Sequence, residues 1–222
     1  MHIPAGNAVM ILVFPTLYLP PLSPNPTINI NTKPKKPKMP SPLPPFTRHI
    51  TTHDPTTGKA TIHSSTPATF TTFENDAFAF SVPYTTTTFP ANLTNEADIH
   101  AHEATIASGT LGLVSPGGTV CRIVDFAPGQ EPLMHRTRSL DYGIVLEGEI
   151  VMELDSGEKR VLKKGDVAVQ RGTMHAWRNP SQDKWVRMLF VLQDCLPVEV
   201  GGRVLGEDLG GAELSHVEEG KI

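Results

Sequence analysis

Short apolar segments, separated by glycine-containing turns, fill the chain from Gly118 to about residue 195. The turn signals recur every 8–12 residues, and include Pro128-Gly129, Glu147-Gly148, Asp155-Ser156-Gly157 and Lys164-Gly165. Within one segment Ile150, Met152 and Leu154 alternate with less apolar residues, which is the pattern of a strand with one buried face. Many short strands at this spacing predict an all-β sandwich or barrel.

The part of the chain before this region has a looser pattern. Two strand-like segments flank the turn Asp54-Pro55-Thr56-Thr57-Gly58 and predict a β-hairpin. A further strand is predicted over 78–84, and residues 96–106 have the only helical character in the chain. We therefore assign residues 46–109 to an N-terminal β-hairpin and loop extension, and residues 110–195 to the barrel.

The two ends of the chain differ in composition from this central part. The first 45 residues hold 12 of the 21 prolines and no acidic residue. Proline at this density cannot supply the hydrogen bonds of helices or sheets, so residues 1–45 are predicted to be a disordered leader. Residues 196–222 are rich in glycine and acidic residues, and are predicted to be a solvated tail.

Composition also limits the partners and the compartment. A net charge of −4 leaves no basic surface for nucleic acid, so none is expected as a partner. The apolar run at 8–14 is far shorter than the roughly 20 residues that span a bilayer, so no membrane partner is expected. Only Cys121 and Cys195 are present, which favours a reducing compartment and hence the cytoplasm. The alternative is secretion through an atypical N-terminal signal.

Three side chains in the strand-rich region could form a chemical site. His135 and Thr137 are two residues apart on a predicted strand, so they share a face. If that face is the barrel interior, His135 can meet His175 from a later strand, with Asp141 joining them. Two imidazoles and one carboxylate are the ligands of non-haem iron(II) sites with open positions, and zinc would accept the same set. The alternative is that the histidines line an organic pocket without a metal.

The spacing of these residues follows a two-part motif. In the first part, Gly129 is followed by His135, Asp141 and Gly148; in the second, Gly165-Asp166 is followed by His175 and Asn179. This arrangement resembles the cupin family, which implies a single small antiparallel β-barrel (jelly-roll) domain with its site inside the barrel. Thr137 stands where the family has a second histidine ligand, and Asp141 where it has glutamate. The family's four-ligand site is therefore not available here.

The sequence around these motifs is similar to one branch of fungal cupins, the cupin-domain oxidoreductases of alkyl-salicylaldehyde polyketide clusters. The resemblance implies an oxidoreductase of secondary metabolism that acts on a small molecule, a reduced polyketide intermediate. It implies that His135, Asp141 and His175 are catalytic and hold a divalent metal, Fe(II) or alternatively Zn(II). It also implies a homodimer. Two other functions stay open: a metal-free dehydratase or cyclase that uses the same residues, and a non-catalytic binding barrel.

Other residues near the motifs are candidates for the pocket wall. Thr137, Tyr142, Gln170 and Trp177 are predicted to line the barrel interior, since small barrels either fill with side chains or hold one small ligand. A second group of possible ligands, His100 and His102, lies in the predicted helix. Because residues two apart on a helix do not share a face, this pair is not expected to form a site.

Overall fold

A computed structural model of the chain describes residues 41–73 and 77–210, and nearly all regular structure in it is β-strand. The strands are β1 (Thr47–His53), β2 (Ala60–Pro67), β3 (Thr71–Phe73), β4 (Phe78–Thr86), β5 (Thr119–Phe126), β6 (Ser139–Glu147), β7 (Glu149–Leu154), β8 (Lys159–Lys163), β9 (Val167–Arg171), β10 (His175–Arg178), β11 (Val186–Asp194), β12 (Val198–Val200) and β13 (Arg203–Leu205). One α-helix, α1, spans Ala97–Ala107. The all-β prediction and the position of the single predicted helix are confirmed.

Two antiparallel sheets build the central part of the fold. The larger sheet has the strand order β3-β4-β5-β11-β6-β9, and the smaller has the order β10-β7-β8. Both sheets contribute to one buried apolar cluster, which shows that their inner faces pack against each other. Members from the larger sheet include Val120, Phe126, Val145, Met188 and Phe190, and members from the smaller include Ile150, Leu162 and Trp177.

Glycines of the two-part motif form the turns between these strands. Gly148, between β6 and β7, has a φ of 82°, and Gly165, before β9, has a φ of 92°. Residues other than glycine rarely adopt this left-handed backbone conformation, which is why these turns need glycine. These motif residues therefore set the path of the chain rather than supply chemistry.

Asn179, the last residue of the motif, is also structural. Its Nδ2 atom lies 2.8–3.2 Å from the carbonyl oxygens of Phe126, Ala127 and Lys184. The side chain is almost completely buried. A buried amide needs hydrogen-bond partners, and Asn179 finds them in these three carbonyl groups. Its side chain therefore links the ends of β5 and β10 to the segment just before β11.

The N-terminal extension is more closely joined to the barrel than the sequence predicted. The predicted hairpin is present as β1 and β2, but β4 pairs with β5 along most of its length and belongs to the larger sheet. The larger sheet therefore includes a strand from the predicted extension. A strand can add to a sheet edge from any distance in sequence, so local pattern did not reveal this pairing.

The end of the predicted leader also contacts the barrel. Asp125 and Arg187 form a buried ion pair with two N–H···O contacts of 2.6 and 2.7 Å. The hydroxyl of Ser41 donates to Asp125, and Arg187 donates to the carbonyl oxygen of Pro44 at 2.6 Å. Ser41 and Pro44, within the predicted leader, thus contact the barrel. The prediction for residues 1–40 lies outside the described residues.

The first part of the predicted solvated tail also has regular structure. Strands β12 and β13 form a hairpin, and Asp208 exchanges backbone hydrogen bonds with Arg136. Residues 211–222 lie outside the described residues. Both cysteines are unpaired. Among the described residues, no helix has the length and hydrophobicity needed to cross a bilayer.

Candidate functional site

His135 and His175 lie directly opposite each other. The N–H of each donates to the carbonyl oxygen of the other, both at 2.9 Å, so that they form a closely paired antiparallel bridge at the start of β10. Residues opposite each other in such a pair project their side chains to the same face. The ring centroids are 4.5 Å apart. The structure thus brings together the two histidines of the sequence prediction.

A similar hydrogen bond orients each imidazole. Nδ1 of His135 lies 3.0 Å from the carbonyl oxygen of Leu133, and Nδ1 of His175 lies 2.9 Å from that of Thr173. A carbonyl oxygen only accepts, so Nδ1 carries the hydrogen in both rings. The lone pair of each ring is then on Nε2, where it can accept a proton or bind a metal.

Burial keeps these two rings neutral at pH 7. Desolvation lowers the pKa of His135 below its usual value. Desolvation, together with the charge that His135 would carry, lowers the pKa of His175 to about 4. A neutral imidazole with a free Nε2 is a proton acceptor, so the pair can serve as general bases.

Asp141 reaches the same cavity from the other sheet. It lies on β6, opposite Leu192 of β11 and Gln170 of β9. Desolvation raises the pKa of its carboxyl to about 6, while the hydroxyls of Ser139 and Thr137 act in the opposite direction. Its Oδ1 atom is buried and has no hydrogen-bond partner among the described residues. This carboxyl is therefore poised to gain or release a proton near neutral pH.

The structure places the three predicted metal ligands in two groups. No three His, Cys, Asp or Glu side chains in the described ranges lie close enough together to hold a metal ion. The two histidines belong to the edge of the smaller sheet, whereas Asp141 projects from the larger one. The structure thus provides a pair of imidazole donors and a separate carboxyl on the same cavity, and a three-ligand metal site stays a prediction.

The cavity itself is mainly apolar and has a volume of about 340 Å³. This is near the lower end of the range for small-molecule sites. Its charged or ionisable groups are His135, His175, Asp141 and Arg122. Its apolar wall is formed by Phe73, Phe78, Phe80, Leu111, Leu113, Val124, Phe126, Leu133, Trp177, Phe190 and Leu192.

The four predicted pocket residues occupy different places. Trp177 lines the cavity and belongs to the core. Thr137 and Gln170 are buried but are not part of the cavity wall; Ser139 donates to Thr137 at 2.8 Å, and Gln170 contacts Met152 and Thr173. Tyr142 was predicted wrongly, since it is 40% exposed on the outer face of β6. Its neighbour Asp141 faces inward, so the alternation along a strand turns Tyr142 outward.

The sequence prediction missed Arg122, which lines the cavity from β5. Its position could have been found, because it alternates with Val120, Val124 and Phe126 along one strand and must share their inward face. The two histidines of α1 lie on different faces: His100 is exposed, whereas His102 is buried and stacks on Tyr84.

Comparison with known proteins relates the chain to cupin-domain proteins and to proteins of fungal biosynthesis clusters. The family profile of the cupin domain matches residues 122–192. The chain is 54% identical over 127 residues to "Phomopsin biosynthesis cluster protein D" of Diaporthe leptostromiformis, covering 57% of this chain and 67% of that protein. It is 47% identical to "Oryzines biosynthesis cluster protein J" of Aspergillus oryzae, covering 62% and 75%. It is 36% identical over 179 residues to "Cupin-domain-containing oxidoreductase srdB" of Neurospora crassa, covering 80% and 88%.

Proposed function

This chain belongs to the cupin family, together with cupin-domain-containing oxidoreductases of fungi, and from that premise we propose that it is an oxidoreductase of fungal secondary metabolism. Its substrate is a small, mainly apolar molecule, as a reduced polyketide intermediate of a salicylaldehyde-type pathway would be. One observation carries the proposal: two neutral, oriented imidazoles open onto an apolar cavity of about 340 Å³.

The side chains of the cavity have separate roles in this proposal. Phe80, Phe126 and Phe190 and their apolar neighbours exclude water and orient the carbon skeleton. Nε2 of His175 or His135 accepts a proton from the reacting group, since both rings hold their hydrogen on Nδ1. Asp141 holds or exchanges a proton at its carboxyl. These side chains transfer protons only. The two electrons of the oxidation pass to an external acceptor, and a metal held by His135, Asp141 and His175 stays a prediction.

Deletion of the gene in the organism that encodes it, followed by mass spectrometry of the accumulated compound, tests the redox chemistry. We expect that compound to differ from the next intermediate by two hydrogens or by one oxygen atom. The purified protein, supplied with an electron acceptor, should make this conversion. A difference of one water, or of no atoms at all, would instead establish a dehydratase or cyclase. Tight binding without conversion would establish a binding protein.

We also propose that the protein is a homodimer that associates through the outer face of the larger sheet. The edge strand β9 exposes Val167 and Val169, and Tyr142 lies beside Val169 on β6. Val167 and Val169 are each more than half exposed. An edge strand with an apolar outer face favours pairing with a second copy of the chain. Such pairing would cover the unpaired backbone edge and the exposed apolar side chains.

A further inference from the structure

Arg122 is a buried cation on an otherwise apolar face of β5. Only 8% of its surface is exposed, and it alternates with the inward-facing Val120, Val124 and Phe126. Burial lowers the pKa of its guanidinium to about 10, so it still carries its charge at pH 7. Burying a charge costs free energy unless a partner compensates for it.

The described residues compensate for this charge only in part. One N–H of Nη2 donates to the carbonyl oxygen of Gly112 at 3.0 Å. The guanidinium carbon lies 5.1 Å from the centre of the Phe80 ring, a cation–π contact. Nε is buried and has no hydrogen-bond partner in the described part of the chain. No carboxylate there lies near enough to raise the pKa of this side chain.

A comparison with Arg187, on the neighbouring strand β11, shows what a structural arginine looks like in this fold. Arg187 is equally buried, at 8% exposure, but it is bonded to both carboxylate oxygens of Asp125 and to a backbone carbonyl. The fold thus neutralises one buried arginine internally and leaves the other on the wall of the cavity. Asp141, the carboxyl on that wall, forms no ion pair with Arg122.

We propose that Arg122 is the substrate anchor of this cavity and that it binds a carboxylate on an otherwise apolar molecule. A guanidinium presents its N–H donors in a planar fork that matches the two oxygens of a carboxylate. The carbon skeleton then lies against the phenylalanines of the wall, and the reacting group lies toward His135 and His175. This inference rests on the proposed function, because it takes the cavity as the substrate site, and it narrows the substrate to apolar carboxylic acids.

The test uses octanoate as the probe and octanamide as its neutral match, measured by isothermal titration calorimetry at pH 7. We expect the wild-type protein to bind octanoate at least about tenfold more tightly than octanamide, in line with a charge-assisted hydrogen bond. Arg122→Met should remove this preference, and Arg122→Lys should retain part of it. Arg160→Met, the same substitution at an exposed position of β8 outside the cavity, should leave the preference unchanged.

Stability provides a second readout that separates an anchor from a structural residue. If Arg122 is held for a ligand, Arg122→Met removes a buried charge that is only partly compensated and should raise the thermal midpoint of the free protein. Equal affinity for the two probes, absence of octanoate binding, or a lowered midpoint of Arg122→Met would each overturn the proposal. Neither probe needs to be converted, so this result is independent of the redox test of the proposed function.

Discussion

Nε2 of His135 and Nε2 of His175 both carry the free lone pair of their ring, because each Nδ1 donates to a carbonyl oxygen two residues earlier in the chain, at 3.0 and 2.9 Å. His135 and His175 also exchange two backbone hydrogen bonds with each other. Backbone groups therefore fix both the distance between the two imidazole rings and the nitrogen of each ring that carries the hydrogen. The cavity thus has two oriented proton acceptors in its wall.

Replacing His175 tests this centre directly. His175→Gln should lower turnover of the accumulated precursor by about 100-fold or more, since it removes a positioned proton acceptor. His100→Gln, a change on the exposed face of α1, is the matched control and should have no effect. Circular dichroism should show an intact fold for both variants. Retention of half or more of the activity by His175→Gln would contradict the proposed role.

Metal titration separates a two-histidine site from the predicted three-ligand site. We expect Zn²⁺ to bind weakly, through the two Nε2 atoms, and His175→Gln to abolish that binding. Asp141→Asn should change the affinity by less than about twofold, because Asp141 is not grouped with the histidines. A loss of about tenfold or more in Asp141→Asn would show that the three residues predicted from the sequence do assemble around the metal.

The carboxyl of Asp141 should make stability depend on pH. Its pKa in the folded protein is about 6, above the usual 3.8. The group is neutral in both states well below pH 3.8. Between pH 3.8 and about 6 only the unfolded state ionises, so the folded state loses stability over this interval, and above it the loss is constant. This loss is up to about 3 kcal/mol. Asp141→Asn should therefore be more stable than wild type at pH 7 but not at pH 4.

Urea denaturation at the two pH values measures this effect, with Asp155→Asn in an exposed turn as the control. His175 acts in the opposite direction, since its lowered pKa makes the folded state less stable as the pH falls from 6.5 to about 4. The free energies of unfolding of variant and wild type are therefore compared with each other at each pH, because the wild-type value alone changes with pH through both groups. A stabilisation of Asp141→Asn that is the same at both pH values would contradict the burial argument.

Two deletions locate the true start of the folded region. Removal of residues 1–40 should leave the thermal midpoint unchanged, as their composition predicts. Removal of residues 1–45 also takes away the Ser41 hydroxyl and the Pro44 carbonyl from the buried Asp125–Arg187 pair. We expect that deletion to lower the midpoint by about 5 °C, in line with the loss of one or two hydrogen bonds to charged groups. Equal midpoints for both deletions would show that these contacts do not stabilise the fold.

The proposed dimer can be tested by light scattering at micromolar concentration. We expect a mass of twice the 24.1 kDa of the chain. Val169→Lys should yield the monomer, because it places a charge in the centre of the proposed interface. Val161→Lys is the control, since Val161 is similarly exposed but lies on the smaller sheet. A monomeric wild-type protein, or a dimer unaffected by Val169→Lys, would contradict the proposal.

Much of the fold could be predicted from local pattern. The alternation of Ile150, Met152 and Leu154, the turn glycines Gly148 and Gly165, and the hairpin at Asp54–Gly58 each depend on residues close together in the chain. Turn chemistry and strand periodicity are local properties, so they can be read without a structure. The same holds for the helix near residues 97–107, which has its predicted position.

What the sequence determined by itself is thus the all-β class, the family and the identity of the two histidines, through glycines and histidines at fixed spacings. Only the tertiary structure decided that His135 and His175 are direct partners, that Asp141 approaches from the opposite sheet and that Tyr142 faces outward. The same is true of the charge of Arg122, which lacks an internal carboxylate partner among the described residues. The physical reason is that strand pairing and the facing of two sheets join residues far apart in sequence, and neither periodicity nor motif spacing encodes which side chains then meet across the cavity.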